Sequence, residues 1–164
     1  MNFTELEEIK KEGFEGFKTM KELFKDNSTI PQMKGVYMIL NLSKEKEFLI
    51  NGTGGFFKGK NPNVSIPELE SNWVANAIVV YIGKAGGEGN SATLQSRLGQ
   101  YFRFGQGKNV GHYGGRLIWQ LKNSESLIVC WKELPTEEPR MVEAGLIRQF
   151  VTQFSKRPFA NLTD

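Results

Sequence analysis

The chain has 164 residues and a mass of 18.6 kDa, with 21 lysines and arginines against 18 aspartates and glutamates, one histidine and one cysteine. That length carries one domain with its own core, and a 39% hydrophobic share with 18 glycines belongs to an ordered globular chain. The single Cys130 and the single His112 exclude a disulfide framework and any Cys/His zinc site with a full set of protein ligands.

Met1 to Glu8 is acidic where a signal peptide is basic and then apolar, and no apolar run reaches the roughly 18 residues of a membrane span, so a cytoplasmic chain without a membrane segment is expected. Apolar side chains at Phe3, Leu6 and Ile9, then at Phe17, Met20, Leu23 and Phe24, keep helical spacing and are interrupted at Gly13 and Gly16. That pattern predicts two short amphipathic helices in an N-terminal extension, 1–34. The run Gly35-Val36-Tyr37-Met38-Ile39-Leu40 reads as a buried strand. A stretch crowded with Gly, Asn and Pro, from Asn51 to Pro67, marks a loop-rich insertion, 41–76. Ala77 to Ile82 reads as a second strand, stopped by Gly83 and the glycines at 86, 87 and 89. Leu94, Leu98, Tyr101 and Phe102 repeat at helix spacing from about Thr93 to Phe104, and Arg116 to Lys122 is a short helix or an extended piece. Leu127 to Trp131 reads as a third strand, with Cys130 as a buried small hydrophobe, and Pro139 opens a helix running to about Phe154. The order describes one α/β domain, 1–164, with a small sheet.

Charge is unevenly placed. The segments 1–34, 35–80 and 123–164 are each close to neutral, whereas 81–122 holds Lys84, Arg97, Arg103, Lys108, Arg116 and Lys122 against Glu88 alone. Tyr101, Phe102, Phe104, Tyr113 and Trp119 are interleaved with those cations, the mix found where phosphates and bases are met together or on a solvated face beside a core. His112 reads as a surface or phosphate contact.

Two charged residues sit oddly on their helices. With about 100° per residue, Glu143 lies amid Leu146, Ile147, Phe150 and Phe154, so a carboxylate occupies the apolar stripe. Such a group wants a metal, an arginine or a hydrogen-bonded network, unless it bends outward at the helix N-terminus. Arg97 lies on the flank of the Leu94–Tyr101 stripe and by itself reads as a snorkelling cation. The loop Gly83-Lys84-Ala85-Gly86-Gly87-Glu88-Gly89 is not a phosphate loop, because Gly-Lys comes first and is followed by Ala85 where such loops end in Gly-Lys-Ser/Thr.

Together, Gly35-Val36-Tyr37, Tyr81-Ile82-Gly83-Lys84-Ala85, Arg97-Leu98-Gly99-Gln100-Tyr101-Phe102, Glu143 and Asn161 resemble the GIY-YIG nuclease family in residue type and order. The stretch from Tyr81 to Arg103 is similar to the UvrC incision-repair branch. The resemblance implies an α/β fold of α+β type, with a small three-stranded antiparallel sheet flanked by helices and a nuclease core at 35–162. It also implies a metal-dependent DNA endonuclease. In that reading Glu143 binds one Mg²⁺ or Mn²⁺, Tyr37 is the general base helped by Lys84, Arg97 or the metal, and Tyr81 is its partner. Arg97 forks onto the phosphate, and Asn161 holds water or Tyr37 through its amide. Lys84, Arg97, Arg103, Lys108, His112 and Arg116 are the expected nucleic-acid contacts. An RNA-directed nuclease and an inactive nucleic-acid-binding module of the same fold are the alternatives. Tyr37 and Tyr81 stand 44 positions apart where the family uses a short hairpin, an insertion reminiscent of its restriction-enzyme branch. Targeting then falls to residues 1–34, to the insertion, to a partner or to a homodimer.

Overall fold

All six residues of the strand Gly35–Leu40 are buried, which requires cover on both faces of its sheet. The computed structural model, which describes residues 1–163, provides it. Its elements are α1 (Leu6–Lys11), β1 (Glu15–Thr19), α2 (Met20–Lys25), β2 (Gly35–Leu40), α3 (Ile66–Asn72), β3 (Val79–Ala85), α4 (Leu94–Gly105), β4 (Ile128–Glu133) and α5 (Pro139–Phe154). The strands form one antiparallel sheet in the order β1-β4-β2-β3. On one face Tyr37, Ile39, Tyr81, Val129 and Trp131 pack with α2, α4 and Trp119. On the other, Val36, Met38, Leu40, Ile82 and Cys130 pack with Ile9 of α1 and Leu146, Ile147 and Phe150 of α5. No helix among the described residues is long and apolar enough to cross a membrane.

The sheet has four strands, not three. The fourth, β1, lies where helix was expected, because Gly13, Gly16 and Phe17 have φ of +88°, +96° and +53°, values that a right-handed helix does not contain. A bulge between Gly16 and Lys18 leaves Phe17 out of register with β4, and a Cβ at Gly16 would overlap the Trp131 indole. Helix starts again at Met20, fixed by a capping box in which the Thr19 hydroxyl accepts from the Glu22 amide at 3.1 Å.

The insertion is less irregular than its composition indicates. Ser65 caps α3, accepting from the Glu68 amide at 3.3 Å, with Pro67 in the first turn and Leu69 buried. The insertion also joins the core: Phe48 stacks on Phe159 with centroids 5.8 Å apart, and buried Gln120 donates to Leu49 O and Val64 O at 3.1 and 2.9 Å. The second strand runs on through Gly83 to Ala85, past the expected stop, and ends at the positive-φ glycines 86 and 87. Residues 116–120 form a short 3₁₀ turn.

Candidate active site

Pairing of β2 with β3 sets Tyr37 opposite Gly83 and Ile39 opposite Tyr81. A Cβ at Gly83 would overlap the Tyr37 ring, so the glycine is what lets that ring lie across the neighbouring strand. The two tyrosine rings meet edge to face, 6.0 Å between centroids, and each tyrosine acts on the ionisation of the other. Tyr37 is 1% exposed and Tyr81 8%. Burial is the main force on both, pushing the Tyr37 hydroxyl well above the usual tyrosine value and that of Tyr81 up to about 12, while Arg97 pulls each down. Lys84 is not among the groups acting on Tyr37.

Arg97 projects from α4, whose start is set by reciprocal hydrogen bonds between Thr93 and Ser96. Its Nη1 donates to Gln100 Oε1 at 3.1 Å, and Gln100 Nε2 donates to Gly111 O at 2.8 Å. One residue on, the buried Tyr101 hydroxyl donates to Gly115 O at 2.6 Å. Helix α4 thereby holds both Arg97 and the loop 111–115, where Gly115 has φ of +74° and sits against the Tyr81 and Tyr101 rings.

Glu143 completes the group from α5. It is half-buried on the wall of a cleft of about 320 Å³ that it shares with Tyr81, Gly114, Gly115, Arg116 and Asn161. Burial raises its carboxyl above the usual value, and Lys84, Arg140 and Arg97, in that order, oppose the rise. The stripe carboxylate therefore has three cations for company. Among the described residues no three His, Cys, Asp or Glu side chains gather as metal ligands. One carboxylate in a polar cleft, leaving the other positions to water and substrate oxygens, fits a hard hydrated cation such as Mg²⁺ or Mn²⁺ and not zinc. A larger depression, about 620 Å³ along the outer face of α5, is lined by none of Tyr37, Tyr81, Lys84, Arg97, Glu143 or Asn161.

Tyr37, Tyr81, Lys84, Arg97 and Glu143 are thus brought together, and other expected site residues are not placed as the sequence led one to expect. The amide of Asn161 is bonded to the backbone of Ile82 and not to Tyr37: its Oδ1 accepts from Ile82 N and its Nδ2 donates to Ile82 O, both at 2.9 Å. Because β3 is an edge strand, Ile82 has outward backbone groups to satisfy, and Asn161 does so. His112 is no surface contact; it is 1% exposed, 4.4 Å from the Tyr101 ring, and burial, then Arg97, pull its pKa down to about 3. Arg103 and Lys108 are exposed and line no part of the cleft. Arg116 does line it, with its guanidinium 4.1 Å from the Tyr113 ring centroid.

Gln100 and Arg140 were not anticipated as site residues, and Tyr113 only as one of the aromatics interleaved with the cations of 81–122. Arg140 was legible in principle, since it stands three residues before Glu143 on one helix face. Comparison with protein-family models, with curated proteins and with solved structures returns no match to this chain.

Proposed function

We propose that this chain is an endonuclease of GIY-YIG type that hydrolyses phosphodiester bonds in DNA with one divalent cation, Mg²⁺ or Mn²⁺. The reading rests on one observation: Tyr37 and Tyr81 from paired strands and Glu143 from α5, far apart in sequence, all feel the charge of Arg97 from α4, and Tyr81 and Glu143 line one cleft. Glu143 holds the cation, which when bound stabilises the charge that grows on the phosphate and the leaving oxygen. Arg97, steadied by Gln100, presents its planar fork to the phosphate, and Lys84 adds positive charge beside Glu143. The Tyr81 hydroxyl, on the cleft wall, orients the attacking water, and Tyr37 behind it, in its ionised form, takes the proton relayed through Tyr81.

The test is supercoiled plasmid, and a structured RNA beside it, incubated with and without Mg²⁺ or Mn²⁺. Cation-dependent nicking of the plasmid by the wild-type chain is expected. Glu143→Ala abolishes it while the fold and DNA binding survive, because a half-buried carboxylate is removed and no large apolar group is lost. Wild-type cleavage by Glu143→Ala overturns the metal role. Inert wild-type protein that binds DNA overturns the enzyme reading, and cleavage of RNA alone overturns the substrate.

A further inference from the structure

We propose that a second hollow beside the cleft receives an unstacked nucleobase, so that the preferred substrate presents an unpaired nucleotide next to the scissile phosphate. The proposal rests on the nuclease reading and names its substrate class.

The hollow holds about 280 Å³ and is lined by Phe57, Lys58, Lys60, Gly111, His112 and Tyr113. Tyr113 also lines the Glu143 cleft, so the two spaces share a wall. One side comes from the 3₁₀ turn Phe57–Gly59 of the insertion and the other from the loop that α4 pins; the Tyr113 hydroxyl donates to Asn61 O at 3.1 Å across them. Each aromatic ring carries cations: Lys58 Nζ lies 5.3 Å from the Phe57 centroid, Lys60 Nζ 5.9 Å from that of Tyr113, and the Arg116 guanidinium 4.1 Å from the latter. Gly111 lets the loop lie close against the Phe57 ring, which a Cβ there would meet at 3.2 Å.

His112 lies deepest. It is 1% exposed, and neither ring nitrogen has a hydrogen-bond partner among the described residues. Buried polar atoms without a partner are rare in folded proteins and ask for one. Burial keeps the imidazole neutral, so it carries one donor and one acceptor. A nucleotide in a strand offers the same pair of functions on the edge of its base, the flat faces of that base for Phe57 and Tyr113, and its phosphodiester for Lys58 and Lys60. Free phosphate would use only the lysines, and an apolar side chain of a protein partner would use neither lysine nor histidine. The chain of hydrogen bonds from Arg97 through Gln100 to Gly111 ties the hollow to the group that meets the phosphate.

The experiment measures fluorescence anisotropy of two labelled duplexes at one salt concentration without divalent cation, one fully paired and one with a single unpaired base. The unpaired base should tighten wild-type binding about tenfold, the worth of one stacked base. Phe57→Leu, which keeps apolar bulk and loses the ring, and Tyr113→Ala should bring that ratio near one, whereas Tyr113→Phe keeps it. His112→Phe, which keeps a buried ring and removes both nitrogens, should lower it. Equal wild-type affinity for the two duplexes overturns the proposal, as does an undiminished ratio in folded Phe57→Leu protein. So does Lys58→Ala with Lys60→Ala weakening both duplexes while Phe57→Leu weakens neither, which marks a phosphate track alone. Plasmid cleavage separates the two readings: active protein with no preference loses the hollow and keeps the nuclease, whereas protein that neither binds nor cuts loses both.

Discussion

Burial raises both hydroxyls of the tyrosine pair, Glu143 adds to the rise, and the charge of Arg97 opposes it without prevailing. Desolvation is the largest influence at Tyr37 and at Tyr81, so both hydroxyls are neutral in the free protein despite the pull of Arg97. If the pair accepts the proton, the ionised fraction limits the rate, and single-turnover cleavage should climb about tenfold per pH unit from pH 7 past pH 9. Tyr81→Phe and Tyr37→Phe should each cost about 10² to 10⁴ in rate and flatten that climb, with losses far from additive because both hydroxyls serve one proton transfer. A wild-type profile already level at pH 7 would remove the tyrosines as the base. Residue type and order alone make Tyr37, Tyr81, Arg97 and Glu143 legible in the sequence. What they do not convey is depth: His112, flanked by Gly111, Gly114 and Gly115, carries the marks of an exposed loop, and only the packing of Tyr101 places it inside.

Strand β3 carries the site at the edge of its sheet, and two neighbours keep it there. Gly83 admits the Tyr37 ring from β2, while the segment after α5 closes the outer side through Ala160 N to Val80 O at 2.9 Å and through the Asn161 amide on Ile82. Asn161→Ala leaves an N–H and a C=O of Ile82 without partners in a buried place, and should cost about 2–4 kcal/mol in a denaturant titration. Hydrogen exchange at the Ile82 amide should accelerate by more than at amides of β4. Unchanged exchange there would mean that Asn161 does not brace the strand. Elements whose signals are local and unopposed, such as the apolar run Gly35–Leu40 and the helix opened by Pro139, were legible to the residue. Strand β1 was not, because its apolar spacing mimics a helix and the positive φ of Gly13, Gly16 and Phe17 breaks it. Helix α3 lay hidden for the opposite reason, its Ser65 cap set among the Gly, Asn and Pro of the insertion.

The cations of 81–122 do not form one surface. Lys84 and Arg97 face Glu143, Arg116 lies over Tyr113, Lys122 pairs with Glu47 at 3.0 Å, and Arg103 and Lys108 stand outside the cleft. Charge counted along the chain therefore marks a segment and not a surface. The ionisable groups that folding buries act instead on the stability of the whole molecule. Tyr37, Tyr81 and Tyr101 all have raised values, so their contribution is complete below pH 10 and is lost as pH climbs through 10 toward about 12 and beyond. His112 works from the other side: its value falls from 6.5 to about 3, so stability is complete above pH 6.5 and declines by about 1.4 kcal/mol per pH unit below it. Glu143, raised by burial, acts with the opposite sign near its own titration and gains stability as pH falls. A comparison with His112→Phe isolates the histidine. That substitution removes two unpartnered buried nitrogens and keeps a ring against Tyr101, so the variant should melt above the wild type at pH 8. The gap between the two should widen steadily from pH 6.5 to pH 5, where only the wild type has an imidazole that unfolding lets protonate. Melting curves that stay parallel over that range would show that His112 is not held neutral in the fold.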